Sequence, residues 1–219
     1  MRPCVVILDC DGTLVDSQGH IAAVFNETIT AFGYEPMTPD AVYPVIGLSL
    51  DDAIGRLLPD CSPSRRQGLV NAYRVRYAVD VAGNNPLYEG VREFLDAVQR
   101  EGRWMAMATG KSRPGALRVV AEHGLTPYFP IIKTGDVCRP KPDPDMLLQI
   151  LDELGLPPDR AIMVGDTTFD VDMANAAGVR AVGVTCGAHG REELALAGAH
   201  LVLDRLPDLA PHLDHLLPA

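Results

Sequence analysis

The stretch VVILDCDGTLVDS, residues 5–17, sets two aspartates, Asp9 and Asp11, directly after four consecutive apolar residues. Such a run reads as a fully buried strand. Side chains alternate faces along a strand, so Asp9 and Asp11 are expected to point the same way and Cys10, a small packing residue, the other. Gly12 then lets the chain turn, which puts both acids at the strand's carboxyl end. Like charges so close repel, and a shared proton, a cation or solvent has to offset the repulsion. Two solvated turn aspartates would satisfy that requirement with no chemistry at all. Two more carboxylates, Asp166 and Asp170, follow a second apolar run, AIMV, and stand one helical turn apart. Four carboxylates with only hydroxyl and amine companions suit a hard, oxygen-seeking cation, magnesium above all. A phosphate ligand would also need a basic residue. Lys141, held between Pro140 and Pro142 in RPKPDPDML, can supply one, although a lysine in a proline-rich turn is in isolation a surface residue.

The elements that must position these groups can be read from periodicity. From Val91 the pattern alternates: helix to residue 100, strand 103–109, helix to 123, strand 130–134, helix 144–154, strand 161–166. A helix over 169–177, a strand over 180–185, a short helix after Arg191, an edge strand in HLVLD and a helical tail complete it. Strands alternating with helices imply a parallel sheet covered on both faces. Such sheets bind ligands beyond the carboxyl ends of their strands, near the reversal of strand order. The residues just past the strands are Asp9 and Asp11, the TGK of Thr109, Gly110 and Lys111, and Gly165 with Asp166, so polar groups converge on one rim.

Residues 16–83 carry a different pattern. Ile21, Val24, Phe25, Ile29 and Phe32 mark a helical stripe with Ser17 as its cap and Gly33 as its stop. Helices are expected at 39–43 and 49–58 and from Pro63 to about residue 81, with no strand among them, and AGNNP at 82–86 reads as a linker. The expected architecture is therefore a doubly wound, Rossmann-like α/β core, residues 1–15 and 84–219, carrying an inserted all-helical cap domain, residues 16–83.

Composition narrows the partners. With 47% hydrophobic residues in 219, the chain can bury a large core. Nineteen basic against 29 acidic residues give a net charge of −10, which argues against nucleic acid or an anionic membrane as the main partner. No stretch has the length of a membrane span or the build of a secretory signal, so the chain is expected in the cytoplasm. Five cysteines without a C-x-x-C pair read as reduced thiols, and His212 with His215 lack a third metal ligand nearby.

Taken together, DCDGT, the Thr109 of ATGKS, the Lys141 of KPDPDML and GDTTFDVDMANAAG, in that order over nearly the whole chain, resemble the four motifs of the haloacid dehalogenase superfamily, specifically its phosphatases with a helical cap. The resemblance implies a magnesium-dependent hydrolase of small phosphorylated metabolites. Asp9 would be the nucleophile and Asp11 the general acid and base. Asp9, the backbone carbonyl of Asp11 and Asp166 would hold magnesium, and Asp170 would order its surroundings. Gly12, Thr109, Gly110 and Lys141 would meet the phosphoryl group, with Lys141 also pairing with Asp9. The cap resembles those of phosphatases acting on compounds such as 2-phosphoglycolate, and Gly47, in the loop VIGLSL, with Arg56 and Arg74 would tune selectivity. Lys111 at a helix start is expected to be solvated, and His189 to be a loop residue without a role.

Related readings are weighed by single residues. A true dehalogenase of the superfamily lacks the second aspartate, so Asp11 speaks against it. A sugar phosphomutase often has an aliphatic residue where Thr13 stands, and a pyrophosphatase would share the same core. A phospho-acceptor signalling module would be about half as long and capless, and a dinucleotide-binding protein would want G-x-G-x-x-G after the first strand.

Overall fold

The computed structural model describes residues 3–79 and 85–217. Six parallel strands form one sheet in the order β3-β2-β1-β4-β5-β6, with β1 Val5–Leu8, β2 Trp104–Thr109, β3 Ile131–Thr134, β4 Ala161–Gly165, β5 Arg180–Val184 and β6 Leu201–Leu203. Strand order reverses between β1 and β4, and that places the residues following these two strands, Asp9 and Asp166, beside each other in the crevice where such sheets bind ligands. Register supports this. Leu8 pairs with Val164, and the Asp9 amide donates to the Val164 carbonyl at 2.9 Å.

The four apolar residues of β1 show why the sheet needs helices on both faces. Val6, Leu8 and Cys10 enter one buried cluster, with Phe94 and Leu95 of α5 (Val91–Arg100) and Val119 of α6 (Arg113–Glu122). Val5 and Ile7 enter the other, with Leu147 of α7 (Asp145–Leu154) and Met173 of α8 (Thr168–Ala176). A period of two thus sends successive side chains to opposite cores. The short α9 (Arg191–Leu196) lies against β5 and β6, and the tail ends in a 3₁₀ turn and α10 (Leu213–Leu216).

Between β1 and α5 the chain leaves the sheet. In order along the chain, its helices here are α1 (Gln18–Ala31), α2 (Pro39–Val42), α3 (Leu50–Leu57) and α4 (Pro63–Val79). They bury a cluster of their own, including Phe25, Ile29, Ile54 and Leu69. The outgoing and returning segments run side by side: Tyr88 N donates to Leu14 O at 3.0 Å and Asp16 N to Pro86 O at 2.8 Å. The end of the last cap helix near residue 81, part of the linker at 82–86 and the boundary at residue 83 lie outside the described residues. Among the described residues no helix is long and apolar enough to cross a membrane.

One local expectation is corrected here. Ser17 occupies the N-cap position of α1 but its side chain caps nothing; its hydroxyl donates to Asp11 Oδ1 at 2.6 Å. That bond turns the hydroxyl toward Asp11, six residues upstream, and its oxygen accepts nothing from the first turn of α1.

Candidate active site

Each acidic side chain is held by the element that delivers it. Thr167 and Asp170 form a reciprocal capping box at the start of α8, in which Asp170 Oδ2 accepts from the Thr167 amide at 3.2 Å and its hydroxyl at 2.7 Å. That box leaves Asp170 Oδ1 pointing at Lys141 Nζ, 2.6 Å away. The same ammonium is 2.9 Å from Asp9 Oδ1. Asp166 Oδ1 accepts from the Thr13 hydroxyl at 2.9 Å and Oδ2 from the Ala188 amide at 2.8 Å. Gly12 and Gly187 let their backbones approach the Asp166 carboxylate so closely that a Cβ on either would collide with it.

Asp9, Asp166 and Asp170 each place a carboxylate oxygen within 4.8 Å of the others, all buried. Ionised together, three carboxylates against the single ammonium of Lys141 would leave two negative charges in a desolvated place. Burial, with Asp170 and Asp11 adding repulsion against the pull of Lys141, raises the Asp9 carboxyl from 3.8 to about 7. Burial and then the charges of Asp9 and Asp170 push Asp166 well above the usual carboxylate range. Lys141 keeps its proton: burial opposes the charge, but Asp170 and Asp9 more than offset it. Asp9 Oδ2 is buried and accepts no hydrogen bond.

Asp11 stands apart from this cluster. Its carboxylate takes the Ser17 hydroxyl and lies 2.9 Å from Lys111 Nζ. Lys111 was expected to be solvated, and the structure corrects that: its side chain is 8% exposed, and its ammonium sits 4.7 Å from the Tyr77 ring centroid and 3.3 Å from the Tyr77 hydroxyl. Burial alone would strip its charge, but Asp11, then Tyr77 and Cys10, hold its pKa well above the ordinary value. Tyr77 in turn accepts from Asn85 Nδ2 at 3.2 Å and stacks on His20 at 4.7 Å, so a polar chain runs from Asp11 into the cap.

Asp9, Asp11, Thr109, Gly110 and Lys111 share the floor of a cavity of about 530 Å³ whose roof is the cap. The cap loop touches that floor directly, since a Cβ on Gly110 would collide with the carbonyl oxygens of Gly47 and Leu48. Gly47 itself has φ +101° and packs against the Thr167 side chain, a conformation and a closeness that a side chain would disturb. Arg74 lines this cavity but is exposed. Arg56 does not line it: its guanidinium lies 5.0 Å over the Phe169 ring, and it lines a second cavity with Arg66 and Lys141. His189, expected to be idle, is buried; its Nδ1 accepts from Thr168 N at 2.9 Å and its Nε2 meets Pro44 O of the cap at 3.3 Å.

A family model described as haloacid dehalogenase-like hydrolase matches residues 6–184, a span that holds every residue of the charged floor. The chain belongs to the haloacid dehalogenase-like hydrolases. Over 213 residues it is 33% identical to a Dickeya dadantii protein named "Probable phosphatase IndB", covering 95% of this chain and 92% of that one. It is 32% identical over 212 residues to a phosphoglycolate phosphatase of Pectobacterium atrosepticum, covering 94% and 91%. Among solved structures, a hydrolase from Pseudomonas syringae superposes with a TM-score of 0.87 at 25% identity, covering 98% and 99%.

The residues of this hydrolase fit a divalent cation. Two carboxyls pushed upward by burial and by neighbouring carboxylates, and one carboxylate oxygen without a donor, are what a hard cation with oxygen ligands would relieve. Sequence reasoning missed the parts of Thr13, Ser17 and Thr167, which hold the acids, and of Tyr77, which reaches Lys111 from the cap and accepts a hydrogen bond from Asn85. Thr13 and Thr167 could have been suspected from standing two residues from Asp11 and one from Asp166; nothing local announces Tyr77.

Proposed function

We propose that this phosphatase hydrolyses small phosphomonoesters with magnesium bound, by way of an aspartyl-phosphate on Asp9. The observation that carries the reading is the Asp9 carboxylate: buried, backed by Lys141 on one oxygen, without a hydrogen-bond donor on the other, and facing a cavity it shares with Asp11 and Thr109. Asp9 and Asp166, with the backbone carbonyl of Asp11, would hold the cation, and Asp170 would steady them through Lys141. When bound, magnesium supplies positive charge to balance the carboxylates and the phosphoryl oxygens.

An oxygen of Asp9 attacks phosphorus as the bond from phosphorus to the leaving oxygen breaks, and that oxygen takes a proton from Asp11. Water then attacks the aspartyl-phosphate, passes a proton to Asp11 and releases phosphate, which restores both acids. Thr109, with the backbone of Gly12 and Gly110, is suited to hold the phosphoryl oxygens. Ser17 and Lys111 fix where the Asp11 carboxylate stands, and residues 16–83 act as the cap that closes over the ester. The relatives named phosphoglycolate phosphatase make 2-phosphoglycolate one candidate substrate and the comparator for others.

The test is phosphate release from a panel of phosphomonoesters, 2-phosphoglycolate among them, with magnesium and after thorough chelation. The reading expects release that chelation abolishes and magnesium restores. Undiminished release after chelation would overturn the magnesium assignment, and no release from any ester would overturn the activity.

A further inference from the structure

The cap wall of the 530 Å³ cavity carries a second message, about what is attached to the phosphate. Its roof is built from apolar and aromatic side chains, among them Ile21, Phe25, Val45, Ile46, Leu48 and Tyr73. A volume of that size falls within the roughly 300–1,000 Å³ of sites that enclose drug-sized molecules, far more room than a two-carbon acid fills.

The charges on the lining point the same way. A carboxylate drawn into such a place needs a positive partner, because an unpaired buried charge is costly. Among the described lining residues the cations are Lys111, Arg74 and Arg118. Lys111 is matched by Asp11 at 2.9 Å. Arg118 is only partly buried and gives one N–H to the Ala78 carbonyl at 3.2 Å, and Arg74 is exposed, so water already solvates both charges. Asp136 lines the same cavity and would repel an acid further, whereas Asp51, also on the lining, is paired with Arg66 at 3.5 Å. No desolvated cation there awaits a second anionic group on the substrate.

We infer that the preferred substrates are phosphomonoesters of apolar alcohols, with a leaving group of about hexyl or benzyl size lodged under the cap, rather than doubly anionic two-carbon phosphates. The inference rests on the phosphatase reading above and sharpens it. Burying one methylene under the cap stabilises the complex by about 0.8 kcal/mol, which is roughly fourfold in binding. Where that contact persists in the transition state, it appears in kcat/KM.

The experiment compares ethyl, butyl, hexyl and benzyl phosphate with 2-phosphoglycolate, using the full chain with magnesium. These unactivated alkyl and benzyl esters leave as alcohols of similar basicity, so differences report the cavity. The expected result is a kcat/KM that climbs at least about tenfold from ethyl to hexyl phosphate, with hexyl and benzyl phosphate ahead of 2-phosphoglycolate. Val45→Lys, which puts a cation into the lining, should shrink the hexyl advantage and raise 2-phosphoglycolate several-fold. Val75→Lys, at a lining position 67% exposed and so tolerant of charge, asks the same question if the first variant does not fold. A flat or falling alkyl series with 2-phosphoglycolate ahead would overturn the inference while leaving the phosphatase reading intact. Absence of turnover with every ester would remove both.

Discussion

The two walls of the cavity are built by opposite rules. Behind the core side, where Asp9 enters the floor, Lys141 joins Asp9 to Asp170, Thr167 holds Asp170 and Thr13 holds Asp166 through specific polar contacts, and every one of these side chains is buried. On the cap side the wall is apolar packing, and it reaches the floor through the backbone of Gly47 and Leu48, whose carbonyls abut Gly110. Charges in a low-dielectric place are worth much when matched and cost much when not, so the floor tolerates little change. Apolar packing is non-directional, and a wall made of it can be reshaped without losing the fold. The floor should therefore decide whether the reaction occurs and the roof which ester undergoes it.

The largest effect expected from breaking the floor is that of Asp9→Asn, which removes the proposed nucleophile and a proposed cation ligand together. Phosphate release should fall to background while circular dichroism shows an intact fold; full activity in this variant would remove Asp9 from its role. Asp11→Asn comes next, with a loss on the order of 10²- to 10⁴-fold if, as proposed, only proton transfer is lost. With an activated ester the second step should suffer more than the first, so the phosphoryl group should accumulate on the peptide containing Asp9 after rapid acid quenching. Mass spectrometry that finds it on Asp11 would reverse the two assignments.

Lys141→Met tests the floor as a charge cluster. It leaves Asp9 and Asp170 facing each other with no counter-charge, and breaking a buried pair in this way costs about 3–5 kcal/mol, measurable by urea unfolding in the absence of metal. A loss below about 1 kcal/mol would mean that water already reaches these groups.

A smaller effect follows from the proton. The Asp9 carboxyl is raised to about 7 in the folded, metal-free chain from 3.8. The native state then binds a proton that the unfolded chain releases, so metal-free stability should fall as pH rises from about 4 to about 7 and level off beyond. Magnesium should raise the melting temperature clearly at pH 7.5 and hardly at pH 5, where protons already occupy the carboxylates. Equal shifts at both values would contradict the raised carboxyl.

The smallest change in rate belongs to the roof. Gly47→Ala forces a side chain into a left-handed backbone conformation against Thr167, a local strain of about 1–3 kcal/mol that the cap loop can absorb by shifting. The ranking of phosphate esters should change while the best of them falls only a few-fold. A uniform decrease with the ranking unchanged would deny the loop a part in selectivity.

Much of this protein is determined by short-range pattern. The VVIL run, the alternation of strands and helices after residue 91 and the apolar stripe of α1 are enough to call for a parallel sheet with a helical insert, because burial and helical periodicity act over a few residues. Asp9, Asp11 and Asp166 stand out as polar groups where an apolar element ends, and Asp170 by standing one helical turn from Asp166, whereas Lys141 stands out only through the motif it resembles. What the tertiary structure alone decided is who meets whom. Strand order sets Asp9 beside Asp166 across 157 positions of sequence, and with Thr13 it fixes the one carboxylate that the Ala188 amide also holds. Lys111 is buried because Tyr77 descends from the cap onto it, and Arg56 turns to Phe169 instead of the cavity. The charge state and direction of a polar side chain depend on which distant groups replace its water, and no local periodicity carries that information.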